Sequence, residues 1–164
     1  MTVFDNAYDY SNRLILREFR SLYIHINKNS KLILCEYIIW GNDENIARMR
    51  ISKNYYIDAT FHTPPLYKQL LIFMYKDVLT NLKIPGLYIL MNGNKEEFYN
   101  LIFKDIIDII TLQNKYSISI DTIVTDSEKG LINVIKKFFP TTRRISCLYH
   151  YKRYIIRNLR IYGL

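Results

Sequence analysis

The chain has 164 residues, of which 49% are apolar and only 5 are Gly and 4 Pro, so its composition indicates one globular domain and excludes a disordered or linker-rich protein. Its net charge of +8 is unevenly distributed: residues 1–128 hold 14 Lys and Arg against all 15 Asp and Glu, whereas residues 129–164 hold 9 Lys and Arg and no acid. The N-terminus lacks a signal pattern, no apolar run approaches the ~20 residues that cross a bilayer, and the two cysteines lack disulfide-scaffold spacing. We therefore predict a soluble intracellular protein with no membrane partner.

The order of predicted elements is that of an α/β domain. We take residues 1–30 as an N-terminal segment and 31–164 as the core, in which KLILCEYIIW predicts a strand and residues 45–51 a short helix. The runs YYIDATF, KQLLIFMY and GLYILMN, joined by short connections, predict a three-stranded antiparallel meander. Alternating helices and strands follow: helix 98–110, strand 118–126, helix 131–139, strand 143–150 and helix 150–162. This order predicts a mixed sheet.

Two aspartates lie on predicted strands. Asp58 follows Tyr56 and Ile57 in the middle of one strand, and Asp126 ends another. Functional groups collect where adjacent strands of an α/β sheet end, and two carboxylates that meet there favour a bound divalent cation such as Mg²⁺ or Mn²⁺. Helix capping would also explain Asp126, because a helical stripe begins at Leu131. Capping does not explain Asp58, since the strand continues beyond it.

Four ordered motifs carry a resemblance to a known family: YYIDATFHTPPLYKQLLIF, LYILMNGNKEEFYNLIF, IVTDSEKGLINVIKKFFP and CLYHYKRYIIRNLRIYGL. Together they resemble the transposase domain of Mutator-like elements (MULE), which are DDE transposases with an RNase H-like fold. The resemblance runs from about Leu32 to the last residue. It implies DNA as substrate, a nuclear location, and hydrolysis and strand transfer at phosphodiesters by metal-activated water. It also implies as partner a second copy of the chain or the remaining part of a transposase.

The resemblance implies roles for particular residues. Asp58 matches the D-x-T-F aspartate and Asp126 the T-D-x-E aspartate, the first two catalytic, metal-binding carboxylates of the family. Cys147 and His150 match its Cys-x-x-His motif at the active-site edge. Their spacing also suits half of a zinc site, but such a site needs four ligands and the remaining candidates are His25, Cys35 and His62.

The chain departs from the family pattern in two ways. Ala59 stands where the family often has Gly, which is a mild change. The third catalytic acid is expected well downstream, but no Asp or Glu follows Glu128. We therefore expect a C-terminally incomplete core that by itself is inactive or very weakly active. Glu128, two residues beyond Asp126, would reach the metal as a substitute ligand, although the helix dipole alone also favours an acid there.

The basic end of the chain is a predicted DNA-binding surface. A solvated amphipathic helix normally carries acids for i,i+4 pairing, and their absence here favours phosphate contact. The residues concerned are Arg143, Arg144, Lys152, Arg153, Arg157 and Arg160. The sequence allows two interpretations of function: a transposase catalytic core, or a catalytically inactive, transposase-derived DNA-binding domain. A small nucleotide-binding or protein-binding domain is disfavoured, because no Gly-rich phosphate loop follows any predicted strand.

Overall fold

A computed structural model describes residues 2–8, 14–26, 32–60 and 67–163. The eight strands are β1 (Thr2–Tyr8), β2 (Leu14–Ile26), β3 (Leu32–Gly41), β4 (Asn54–Thr60), β5 (Gln69–Lys76), β6 (Lys83–Met91), β7 (Thr122–Thr125) and β8 (Arg143–Ser146). The four helices are α1 (Asp43–Ile51), α2 (Glu96–Thr111), α3 (Lys129–Phe138) and α4 (Leu148–Ile161). None of these helices is both long enough and apolar enough to span a bilayer.

All eight strands belong to one mixed sheet with the order β1-β2-β3-β6-β5-β4-β7-β8. Strands β4, β5 and β6 pair antiparallel in sequence order, which confirms the predicted meander. Strands β7 and β8 then add in parallel, each after a helix, as short parallel strands with helical crossovers do. The mixed α/β sheet confirms the predicted fold class and is compatible with an RNase H-like fold.

The sheet extends beyond β6 at its other edge. Strand β3 pairs antiparallel with β6, and β1 and β2 continue the antiparallel pairing outward. Both β1 and β2 fall entirely in the segment 1–30 that the sequence separates from the core, so this segment is hydrogen-bonded to the core sheet. The domain boundary at residue 31 stays a prediction.

The main core lies on one face of the sheet. Side chains of a strand alternate between its two faces, and in β5 Leu71, Phe73 and Tyr75 are buried while their neighbours are only partly so. These residues share one apolar cluster with the buried stripes of α1, α2 and α3, for example with Phe103 of α2, whose ring contacts Phe73 edge-on at 5.9 Å. Helices α1 to α3 therefore cover this face.

Strand β4 shows why Asp58 does not enter that core. Tyr55, Ile57 and Ala59 are buried in the main cluster, so Asp58, between two of them, points to the opposite face of the sheet. Helix α4 contributes no buried residue, among the described residues, to the cluster that α1 to α3 cover. The side chain of Asp58 is 51% exposed, so a solvent-accessible carboxylate stands on an otherwise apolar strand.

Candidate two-carboxylate site and basic surface

Asp58 and Asp126 are brought together by the parallel pairing of β4 and β7. Ile57 is the register partner of Thr125, the last residue of β7, so Asp58 follows on β4 and Asp126 comes directly after the end of β7. Neighbouring strands lie about 4.8 Å apart, and residues in register point to the same face. The hypothesis of a site shared by Asp58 and Asp126 requires that these two strands be adjacent, and the pairing shows that they are. The metal-binding and catalytic roles of the two residues stay predictions.

Asp126 is the buried member of the pair, with 8% of its surface exposed. Burial raises the pKa of its carboxyl, the backbone N–H of Glu128 and the nearby His150 act to lower it, and the charge of Asp58 raises it. The N–H of Glu128 donates to Asp126 Oδ1 at 3.2 Å, so the aspartate does bond to the start of the next helix. That bond is an Asx turn, since Glu128 itself occupies the N-cap position of α3.

Glu128 is half-buried and faces the interior. Its Oε2 lies 2.7 Å from the phenol oxygen of Tyr99 on α2 and 3.4 Å from Nε2 of Gln69, the first residue of β5. Burial raises the pKa of Glu128, the hydrogen bonds from Tyr99 and Gln69 act to lower it, and the charge of Asp126 raises it. The pKa of Tyr99 is also raised, chiefly by burial. One oxygen of this carboxylate, Oε2, therefore accepts from two protein donors.

Cys147 and His150 lie at the edge of the site through the start of α4. The N–H of Cys147 donates to the carbonyl oxygen of Thr125 at 2.7 Å, which fixes the first residue of this turn beside Asp126. His150 lies in the first turn of α4, and its Nε2 is 3.7 Å from Asp58 Oδ1. Its Nδ1 is buried without a hydrogen-bond partner among the described residues. The motif thus borders the carboxylate pair.

Among the side chains that the structure describes, the Cys-x-x-His motif gains no further ligand for a zinc site. Cys35 is buried on β3, on the opposite side of the meander from β7 and β8. His62 lies outside the described residues, and so does the side chain of His25. Across the described ranges, no group of three or more His, Cys, Asp or Glu side chains is arranged to hold a metal ion.

The two aspartates nevertheless fit one hard divalent cation. Mg²⁺ is commonly bound by one or two carboxylates, with water and substrate phosphate completing its shell. Burial is the main cause that raises the pKa of Asp126, and the charge of Asp58 adds a smaller contribution in the same direction, which a cation between the two carboxylates would offset. The donors are therefore two carboxylates, those of Asp58 and Asp126, and they suit Mg²⁺ or Mn²⁺.

The basic surface consists of six exposed cations on the last strand and the last helix: Arg143, Arg144, Lys152, Arg153, Arg157 and Arg160. Strand β8 is the edge strand of the sheet next to β7. Large apolar side chains of α4 are exposed beside these cations, including Tyr149 (62%) and Tyr154 (65%). The four cations of α4 follow a helix start that lies beside Thr125, whereas Arg143 and Arg144 pair with Thr122 and Ile123, at the end of β7 away from Asp126.

Sequence reasoning missed two residues, Tyr99 and Gln69. Each was counted as part of an apolar element, yet each is fully buried and bonds to Glu128. A faint signal exists, because Gln69 is a polar residue at the head of the apolar run LLIFMY. Nothing in the sequence links it to Glu128, which lies 59 positions away.

Comparison with known proteins identifies the family. The model of the MULE transposase domain matches residues 55–154, which include Asp58, Asp126, Glu128, Cys147 and His150. No curated protein matches the chain. The matched segment begins on β4 and ends in α4, so it contains the meander, the two parallel strands and the carboxylate pair. Since the match covers more than half of the 164 residues, the chain belongs to the MULE transposase domain family and its function is transposase-related.

Proposed function

We propose that this chain is part of a DNA transposase catalytic core in which Asp58 and Asp126 bind Mg²⁺ or Mn²⁺ and the basic surface binds the DNA backbone. The observation that carries the proposal is the juxtaposition of the two aspartates in the register of β4 and β7, within a chain of this family. A bound divalent ion would activate water and stabilise the leaving oxygen in phosphodiester hydrolysis and strand transfer.

The two aspartates would have different roles in binding the ion. Asp126 is buried and its Oδ1 accepts the N–H of Glu128, so it supplies a fixed charge. Asp58 is half exposed, which leaves room for a phosphate to approach the same ion. His150 lies within 3.7 Å of Asp58 and would orient that carboxylate from the side of α4. These features support a site that is open on one side only.

The basic surface would position the DNA. Helix α4 carries four of the six cations and starts beside Thr125, the residue before Asp126. A backbone that follows α4 would therefore bring a phosphate to the carboxylate pair. Contacts of this kind fix register and orientation but do not read base sequence. A nuclear location, and a second copy or another part of a transposase as partner, belong to the same proposal.

A second candidate is a transposase-derived domain that binds DNA without cutting it. Two observations favour it: within the described ranges no group of three or more His, Cys, Asp or Glu is arranged to hold a metal ion, and Oε2 of Glu128 is engaged by Tyr99 and Gln69. With Asp58 and Asp126 as the two carboxylates of the site, we expect them by themselves to support little or no cleavage. Both candidates include DNA binding by the basic surface. They differ in whether DNA binding depends on a bound metal ion.

The test is fluorescence anisotropy of a labelled DNA duplex with the wild-type chain and Asp58→Asn, each in Mn²⁺ and in EDTA. The catalytic-core proposal predicts that Mn²⁺ tightens DNA binding several-fold in the wild type and has no such effect in Asp58→Asn. An inactive binding domain would bind the duplex equally in Mn²⁺ and EDTA. Failure of the wild type to bind duplex DNA at low salt would contradict both.

A further inference from the structure

A buried hydrogen-bond cluster lies directly behind the carboxylate pair. It joins Gln69 of β5, Tyr99 of α2 and Glu128 before α3, and both Gln69 and Tyr99 are completely buried. The phenol oxygen of Tyr99 lies 2.7 Å from Glu128 Oε2 and 2.9 Å from Gln69 Oε1. A phenol has one proton, and the carboxylate is its stronger acceptor. The cluster therefore ties three separate elements to the side chain of Glu128.

Glu128 is also bonded through its backbone, on the side of the site. Its N–H donates to Asp126 Oδ1 at 3.2 Å, across a two-residue turn. The direction of the Asp126 carboxylate thus depends on where the backbone of Glu128 lies. That backbone is in turn fixed by the side-chain bond to Tyr99.

The packing of α3 on α2 brings Glu128 within reach of Tyr99. A Cβ added to Gly130 would meet the backbone nitrogen of Glu96 at 3.3 Å and Tyr99 Cδ2 at 3.5 Å, so glycine permits a close approach of the two helices. Farther along, Asn133 Nδ2 donates to Glu96 Oε2 at 2.7 Å and Lys137 Nζ to Asn100 Oδ1 at 2.8 Å. The cluster is the end of this helix-helix contact that is nearest the site.

We infer that Tyr99 and Gln69 are positioning residues for Asp126, acting through Glu128. They do not touch a metal or DNA; they hold the 126–128 turn so that the Asp126 carboxylate keeps one orientation beside Asp58. The inference concerns the geometry of the turn, and its effect on metal affinity rests on the proposed function. Groups that orient a metal-binding side chain commonly change metal affinity by about 10- to 100-fold when removed.

The variant that tests this is Tyr99→Phe, and the chain offers a matched control in Tyr37→Phe. Tyr37 is also completely buried and its hydroxyl donates at 2.7 Å to a carboxylate on α2, that of Asp105. Each change removes one buried hydroxyl that bonds to a carboxylate. We expect Tyr99→Phe to weaken Mn²⁺ binding about 10-fold and Tyr37→Phe to leave it unchanged. Equal Mn²⁺ affinities in Tyr99→Phe and wild type would overturn the inference.

A second readout does not depend on metal. Amide hydrogen exchange of Glu128, followed by NMR without added metal, should be faster in Tyr99→Phe than in the wild type and unchanged in Tyr37→Phe. If the wild type binds no Mn²⁺, the metal site of the proposed function fails and the exchange rate alone decides the positioning role. Unchanged exchange at Glu128 in Tyr99→Phe would overturn that role. Gln69→Leu, with the same expectations, covers the case in which Tyr99→Phe does not fold.

Discussion

The imidazole Nε2 of His150 lies 3.7 Å from Oδ1 of Asp58, so the first turn of α4 closes one side of the carboxylate pair. This contact crosses from the last helix to the first strand of the meander, over the intervening β7. It links the two parts of the proposed activity, because the same helix carries Lys152, Arg153, Arg157 and Arg160. The helix that borders the carboxylate pair is therefore also the helix that carries four of the six cations proposed to contact phosphates.

The aromatic contacts of Phe103 make it a sensitive probe of the packing between sheet and helices. Its ring contacts Phe73 of β5 at 5.9 Å and Phe138 of α3 at 6.2 Å. We expect Phe103→Ala to lower the free energy of unfolding by about 3–5 kcal/mol, measured by urea denaturation. Leu79→Ala is the control: Leu79 is 77% exposed, so its loss should change stability by less than about 0.5 kcal/mol. Similar costs for both would contradict the core described here.

Asp77, directly after β5, should contribute to folding stability at neutral pH and lose that contribution in acid. Its Oδ2 accepts the hydroxyl of Thr80 at 2.7 Å and the N–H of Thr80 at 2.9 Å, with Arg48 Nη1 at 3.4 Å. The Thr80 hydrogen bonds, and then Arg48, lower the pKa of this carboxyl. Stability from a lowered pKa is complete above the unfolded value of about 3.9 and disappears as pH falls through the folded value.

We therefore expect Asp77→Asn to lower the thermal unfolding midpoint at pH 7 and to flatten its dependence on pH below about 4. The measurement is the unfolding midpoint from pH 7 down to pH 2. Asp121→Asn, which removes an exposed carboxylate before β7, is the control and should follow the wild-type curve. A curve for Asp77→Asn that runs parallel to that of the wild type would show that Asp77 does not contribute in this way.

Two variants of Glu128 distinguish between two roles for its side chain, that of a metal ligand and that of a hydrogen-bond acceptor for Tyr99. Glu128→Gln keeps an oxygen for the Tyr99 hydroxyl and keeps the N–H that bonds to Asp126, whereas Glu128→Ala keeps only the N–H. We expect Mn²⁺ affinity in Glu128→Gln to stay near that of the wild type and to fall about 10-fold in Glu128→Ala, measured by calorimetry. Equal large losses in the two variants would instead mean that Glu128 is itself a ligand.

The sequence predicts the meander, because alternation and short connections are local features. The adjacency of the two aspartate-bearing strands is a long-range pairing, and it enters only as a hypothesis from the strand pattern and the family resemblance. The sequence does not predict the surroundings of Glu128. Gln69, Tyr99 and Glu128 come from a strand, a helix and a helix start, and their contact depends on how α3 packs on α2 at Gly130. It likewise does not show that β1 and β2 join the core sheet, since this depends on the long-range pairing of β3 with β6.

DNA binding should depend on salt in proportion to the number of phosphates that the basic surface contacts. If all six cations contact phosphates, the plot of log K against log salt should have a slope of roughly −5. Removal of one cation, as in Arg153→Ala, should make that slope shallower by about 0.9. Lys104→Ala on α2 is the charge-matched control, since Lys104 is exposed but lies on a different helix. A slope that changes equally in both variants would contradict the assigned surface.

We propose that Asp58 and Asp126 together bind one divalent cation. Isothermal titration of Mn²⁺ into the wild type, Asp58→Asn and Asp121→Asn tests this proposal most directly. Each variant loses one carboxylate: half-exposed Asp58 belongs to the proposed site, whereas exposed Asp121, before β7, does not and serves as the control. We predict one binding event in the wild type and in Asp121→Asn, and none in Asp58→Asn. Binding that persists in Asp58→Asn, or that is absent from the wild type, would contradict the two-carboxylate site.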